Sequence, residues 1–220
     1  MSEPSAVEIQ QRLRESYALD SLWRETMGLP PGDTKEEPLR RVILVLEAAG
    51  TPYAVIGGIA VQIHSREPRT TLDIDLAVTR FEDIPRDALT RAGFEHDGRY
   101  EHSDNWRAPG LGSRSERTAV QFSAEDEGIA DAVARAMQVD IGGLRLRLAT
   151  APDLLVLKLT AAEEPSRRPA KRRQDLLDVI TLAEEYPDAA AAAPDLKKRV
   201  AKLAAAILTI GSNADVEPGR

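Results

Sequence analysis

Along the chain the apolar positions change period several times, and each change marks an element. Val7, Ile9, Leu13, Tyr17, Leu22 and Trp23 recur roughly at helical spacing, predicting an amphipathic helix over residues 6–28. Leu29-Pro30-Pro31-Gly32-Asp33 breaks it. A second helix is expected from Pro38 to Ala49, with Leu39, Val42, Ile43, Val45 and Leu46 apolar and Gly50 as its stop. Tyr53–Ile56 reads as a strand, Gly58–Ser65 as a short helix, and Thr71–Val78 as a second strand.

Beyond this the pattern shortens. Asp83–Arg91 reads as a polar helix ended by Gly93. Residues 94–117 read as short strands and loops around Phe94, Tyr100 and Trp106, with a Gly/Ser-rich break at Pro109–Ser115. Thr118–Ser123 is a third strand candidate and Glu127–Met137 a helix. Val139–Ile141 and Leu144–Leu148 frame Gly142-Gly143 as a hairpin. Thr150 caps a helix running to Ala162. A basic loop then leads to a helix at Gln174–Glu185, an alanine-rich stretch at 188–194 and a last amphipathic helix at Asp195–Leu208.

Strands and helices in this order predict an α/β (α+β) fold, a small mixed sheet flanked by helices with a helical C-terminal part. The expected division is an N-terminal helical extension (1–36), a core (37–150), a C-terminal helical part packed on the core (151–210) and a disordered tail (211–220).

The richest stretch chemically is Tyr53–Val78. Residues i and i+2 of a strand share a face, so Asp73 and Asp75 are expected side by side while Leu72, Ile74 and Leu76 enter the core. Like charges held together disfavour each other's ionisation. A cation between them, most naturally Mg²⁺ arriving with substrate phosphates, relieves that; the plainer reading is a half-exposed strand carrying two aspartates. Upstream, Gly57 and Gly58 stand where a strand turns into a helix, and glycine lets backbone N–H groups approach a phosphate. An ordinary tight turn is the alternative. Together the two features point to a nucleotide.

Composition narrows the setting. Of 220 residues, 42% are hydrophobic and 30% charged, as in ordinary globular proteins. No run of about 18 apolar residues occurs, so no membrane span is expected. With no cysteine, thiolate chemistry and disulfides are excluded, in keeping with a cytoplasmic setting. The formal net charge of −7 argues against a general nucleic-acid-binding surface. A local patch remains at Arg167, Arg168, Lys171, Arg172 and Arg173, which otherwise reads as a solvated loop and helix start.

The pattern Gly57-Gly58-x-Ala60-x₃-His64-x₄-Arg69-x-Thr71-x-Asp73-x-Asp75 resembles the nucleotidyltransferase fold of the polymerase-beta type. Within it, the sequence is most similar to the AbiEii toxins of type IV toxin–antitoxin systems, over residues 40–185. The resemblance implies a Mg²⁺-dependent transfer of a nucleotidyl group from an NTP to a nucleic-acid end (tRNA above all) or a protein hydroxyl, and a cognate antitoxin as partner. Carried onto this chain, it makes Asp73 and Asp75 the metal-binding and catalytic pair, and Lys158 and Asp175 the later catalytic residues. Gly57, Gly58, Arg69 and Thr71 become the nucleotide-binding set, and Asp178 a structural carboxylate.

Each of these has a simpler reading. Lys158 is the sole cation in Asp153-Leu-Leu-Val-Leu-Lys158-Leu, so it either snorkels to water or points into a polar cleft. Asp175 and Asp178 suit the start of a helix on dipole grounds alone. His64 reads as a packed helix-end histidine rather than a base. Such enzymes usually carry a third carboxylate on a neighbouring strand, where this chain has Gln121 in Thr118-Ala-Val-Gln121-Phe-Ser123. An amide can donate and accept hydrogen bonds but cannot replace a carboxylate's charge or accept a proton. Asp140 on the next strand is a candidate substitute. The alternative is therefore a catalytically weak module that binds nucleotide or a partner protein; a transferase acting on a small cationic acceptor is a third reading.

Overall fold

In the computed structural model, which describes residues 3–29, 34–65, 71–192 and 195–209, Ser5 starts the first helix by reciprocal capping. Its hydroxyl accepts the Glu8 N–H, and the Glu8 carboxylate accepts the Ser5 N–H at 2.8 Å. Helix α1 then runs Ala6–Thr26. Helix α2 (Glu36–Ala49) ends at Gly50, whose φ of +66° is the left-handed stop expected of glycine. Strand β1 (Tyr53–Val55), helix α3 (Gly57–His64) and strand β2 (Ile74–Val78) follow. After a 3₁₀ turn at Phe81–Asp83 come α4 (Arg86–Arg91), β3 (Glu95–Arg99), β4 (Asp104–Arg107) and β5 (Ala119–Ser123). Helix α5 (Ile129–Arg135) leads to the hairpin β6 (Met137–Ile141) and β7 (Leu144–Leu148). Helices α6 (Ala151–Glu163), α7 (Pro169–Glu185), α8 (Pro187–Ala192) and α9 (Leu196–Thr209) close the chain.

The seven strands form one mixed sheet in the order β3-β4-β5-β2-β1-β7-β6. Two pairings are parallel, β2 with β5 and β1 with β7, and the others antiparallel. Consecutive residues are buried at Tyr53–Val55 and again at Leu76–Val78, so both faces of the sheet's centre are covered. One hydrophobic cluster extends from Ile9 and Leu13 of α1 through the sheet to Leu196 and Leu203 of α9.

Several expectations shift, each for a local reason. Strand β2 begins at Ile74, so Asp73 lies one residue before it, and Leu72 is 41% exposed rather than in the core. Residues 94–117 contain the antiparallel pair β3–β4. Asp83 lies in the 3₁₀ turn, with α4 beginning only after Pro85, which serves as its N-cap. Met137 leaves the expected helix and pairs with Leu148 as the first residue of β6. Pro169 is the first residue of α7, where a missing N–H is harmless; Lys171, Arg172 and Arg173 are therefore helical, not part of a loop. Part of the alanine-rich stretch forms α8.

Helix α1 packs on α3 and β6. Arg12 donates to the Ile63 carbonyl, and the Glu3 carboxylate accepts the Ala151 N–H at 3.3 Å. After α1, Lys35 is wholly buried, its Nζ 3.7 Å from Asp20, which also accepts the Lys35 backbone N–H at 2.8 Å.

Burial holds the Lys35 ammonium below its ordinary value of 10.5, with Asp20 opposing. The folded protein thus binds this proton less tightly than the unfolded chain does. The resulting penalty is fully present below the folded pKa and is relieved as the pH rises through that value towards 10.5. In urea titrations, the unfolding free energy of wild type relative to Lys35→Met should therefore rise as the pH is raised from neutral towards the ordinary lysine value of 10.5. A pH-independent difference would remove the penalty.

Candidate active site

The site is built where β1 turns into α3 beside β2. The Ile56 N–H reaches the Asp75 carbonyl at 3.0 Å, holding the end of β1 against β2. The chain then turns through Gly57, with φ at +65°, into the first turn of α3. A Cβ on Gly57 would stand 2.0 Å from Asp75 Oδ2, and one on Gly58 would stand 2.5 Å from Thr71 Oγ1. Both positions thus need the missing side chain, and Gly57 needs its backbone freedom as well. The space the glycines leave is taken by Asp75 and Thr71, and the Gly58 N–H is turned to Asp75 Oδ2 at 3.4 Å.

Asp75 is half-buried. Burial pushes its carboxyl up; Lys158 draws it down, Asp73 pushes it up again, and the Gly58 N–H and Lys171 add smaller downward pulls. Four groups therefore act electrostatically on one carboxylate. Directly beside it in register lies Gln121 of β5, and beside Gln121 lies Asn105 of β4. Beside Asp75 the sheet thus carries a row of two amides and no third acid on β5 or β4 at this register.

Lys158 projects from α6 into a cluster rather than snorkelling. Its Nζ is 2.9 Å from Asp175 Oδ1 and 2.7 Å from Asp178 Oδ2, and its side chain is 13% exposed against 3% for each aspartate. Arg167 Nε reaches the other oxygen of Asp175 at 2.7 Å, and Gln174 donates to Asp178 at 3.2 Å. Burial opposes the Lys158 charge, but Asp178 and Asp175 together outweigh it and hold the ammonium above its ordinary value. The i, i+3 spacing on α7 puts both carboxylates on one face, where a single cation bridges them. Asp178 is as much a part of this clamp as Asp175.

Other sequence candidates fall elsewhere. Asp140 accepts the Gly143 N–H at 3.0 Å and braces the turn of the edge hairpin. It lies on β6, with β7 and β1 between it and β2, so it does not substitute for the missing acid. His64 is buried, with Nε2 2.9 Å from the Ala149 carbonyl and Nδ1 3.1 Å from Glu3 and 3.2 Å from the Tyr186 hydroxyl. It ties the end of α3 to the start of α6 and the end of α7, a structural role. Arg69 lies outside the described residues. In the sequence Lys171 is only one of five cations in a basic patch read as loop and helix start; with α7 beginning at Pro169, its i, i+4 relation to Asp175 becomes a signal.

Two carboxylates at i, i+2 offer hard oxygen donors to a divalent cation. Burial and mutual repulsion, which push Asp75 up, are what a bound cation would offset. Among the described residues no group of three or more His, Cys, Asp and Glu could hold a metal. The pair fits Mg²⁺ as a partial shell completed by phosphate oxygens and water, and does not fit a tight all-protein cage.

A mixed sheet with a glycine turn packed on a strand carboxylate defines a chain of the nucleotidyltransferase class. The sequence matches the family described as "Nucleotidyl transferase AbiEii toxin, Type IV TA system" over residues 39–210. The protein belongs to that family. No curated protein sequence matches it. Among solved structures it is similar to an antigenic nucleotidyltransferase-like protein from Paracoccidioides brasiliensis, at 20% identity and a TM-score of 0.49, covering 80% of this chain and 89% of that one. It is also similar to the antibiotic-resistance factor ANT(2″)-Ia (16% identity, TM-score 0.43, covering 79% and 91%). A third is JHP933 from Helicobacter pylori (14% identity, TM-score 0.42, covering 80% and 90%).

Gly57→Ala should destabilise the protein by about 1–2 kcal/mol from the left-handed backbone alone, with a further loss from the Asp75 contact. Thermal melting equal to wild type would contradict this geometry. Lys158→Ala leaves two buried carboxylates sharing too little positive charge and should cost about 3–5 kcal/mol in denaturant titrations. Adding Asp178→Asn to that variant should recover part of the loss; no recovery would mean that the three groups do not act as one cluster.

Proposed function

We propose that the protein is a Mg²⁺-dependent nucleotidyltransferase that moves a nucleotidyl group from an NTP to a hydroxyl on RNA, with a tRNA end as first choice, or on a protein. The observation that carries this reading is Asp75 packed against the Gly57-Gly58 turn while sharing its surroundings with Asp73, Lys158 and Lys171. Asp73 and Asp75 would hold the metal, which when bound supplies positive charge against the phosphates and polarises the phosphoryl group. The first turn of α3, with Gly58 and Thr71, positions the triphosphate beside them; Arg69 joins this set in the proposal.

The acceptor hydroxyl forms a bond to the α-phosphorus as the bond to the departing pyrophosphate breaks. Gln121 cannot take up the hydroxyl proton, so it passes to a carboxylate of the pair or to water. In this reading Lys158 and Asp175 act on the chemistry through position, holding α7 against the cleft. With a net charge of −7, RNA contact is confined to the basic run that leads into α7, through the arginines around Arg168. The family supports a toxin with a cognate antitoxin, and NTP and RNA place the reaction in the cytoplasm. Among the described residues no helix is long and apolar enough to cross a membrane.

Gln121 directly beside Asp75 favours one other reading, a nucleotide-binding or partner-binding module without turnover. Incubation with each labelled NTP, Mg²⁺ and total RNA or lysate separates the two. Transfer of label is expected in wild type and its reduction to background in Asp73→Asn and Asp75→Asn, both still folded by circular dichroism. Binding of NTP with no labelled acceptor from any source would establish the module instead, and wild-type transfer by the double variant would remove the pair from the chemistry.

A further inference from the structure

The five cations at the start of α7 are not equivalent. Arg167 is held by Asp175, and Arg172 donates to the Ala162 carbonyl at 2.8 Å. Lys171 is exposed and makes no ion pair with any described residue. It stands four residues before Asp175 and seven before Asp178, so it shares the face of α7 that is turned towards Lys158. Helix α7 also packs on α3, whose first turn flanks Asp75.

Lys158, by contrast, is already matched. Two cations (Lys158, Arg167) meet two anions (Asp175, Asp178), leaving the cluster formally neutral. Drawing the Lys158 ammonium onto a phosphate would leave two carboxylates, each only 3% exposed, sharing the single charge of Arg167, a loss of several kcal/mol. A free ammonium on a flexible four-carbon stem carries no such penalty and suits a phosphate as a point charge.

We propose that Lys171, rather than Lys158, binds the outer phosphates of the nucleoside triphosphate, across the cleft from Asp73 and Asp75. This rests on the nucleotidyltransferase reading above and names the residue that engages the leaving group. Lys158, Asp175, Asp178 and Arg167 are then positioning residues that dock α7 so that Lys171 faces the aspartates. As pyrophosphate departs, negative charge grows on the oxygens that Lys171 contacts, so the same contact strengthens during transfer.

The test is calorimetric binding of ATP, GTP, CTP and UTP with Mg²⁺ to the full chain, beside the corresponding monophosphates and a tRNA acceptor. Lys171→Ala should weaken binding of the preferred triphosphate by about tenfold or more, the loss expected of one charge-assisted contact. Monophosphate and tRNA affinity and thermal melting should stay unchanged, and Lys171→Arg should restore most of the loss. Lys198→Ala on α9, which removes the same charge elsewhere, should have no effect. Triphosphate binding unaltered in Lys171→Ala overturns the assignment while leaving the transferase reading intact. Weakened tRNA binding with triphosphate binding intact also overturns it, and makes Lys171 an acceptor contact. No binding of any triphosphate by wild type overturns both.

Discussion

Everything in the site depends on two groups that cannot occupy the same space. Asp75 Oδ2 stands where the Cβ of any other residue at position 57 would be. The glycine turn therefore has two functions at once. It bends the chain from β1 into α3 with a left-handed backbone, and it leaves room for a half-buried carboxylate to accept the Gly58 N–H. A carboxylate in that position is strained electrostatically by burial and by Asp73, which is the state a cation and its phosphates relieve.

A second constraint sets the opposite wall. Two acidic side chains on one face of α7 would repel each other in a buried place, and Lys158 from α6 resolves this by bridging them. Such a cluster is poor at adding stability relative to apolar packing, but it fixes the mutual position of two helices because each charge is costly to strand. Helix α7 is held by chemistry that, among the described residues, makes no ion pair with Lys171. In the proposed reading, structural and functional charge lie one turn apart along one helix.

The N-terminal helix belongs to the same argument. It precedes the family match, which begins at residue 39, yet it braces α3 through Arg12 and Ile63, while Glu3 just before it meets His64 and Ala151. His64, conspicuous in the motif, is held by these contacts and those to Ala149 and Tyr186. It sits at the far end of α3 from the glycine turn, and fixes the helix from behind.

Sequence by itself determined the local pieces: the glycine turn, the i, i+2 aspartates, most helices and the hairpin at Gly142-Gly143. These follow from backbone freedom and hydrophobic period, which act over a few residues. That Gln121 stands where such enzymes usually carry a third acid came from the family resemblance and not from the pattern itself. The sequence could not tell whether Asp140 might compensate, since strand order decides that, and β6 lies at the opposite edge of the sheet. Nor could it distinguish a snorkelling Lys158 from a clamped one. That outcome depends on where α7 docks, and the charges of Asp175 and Asp178 reach Lys158 only across about 17–20 residues of intervening chain that the tertiary fold brings back. The same docking distinguished Lys171 from Arg167 and Arg172 of its run, because a side chain's partners are set by packing and not by its neighbours in sequence.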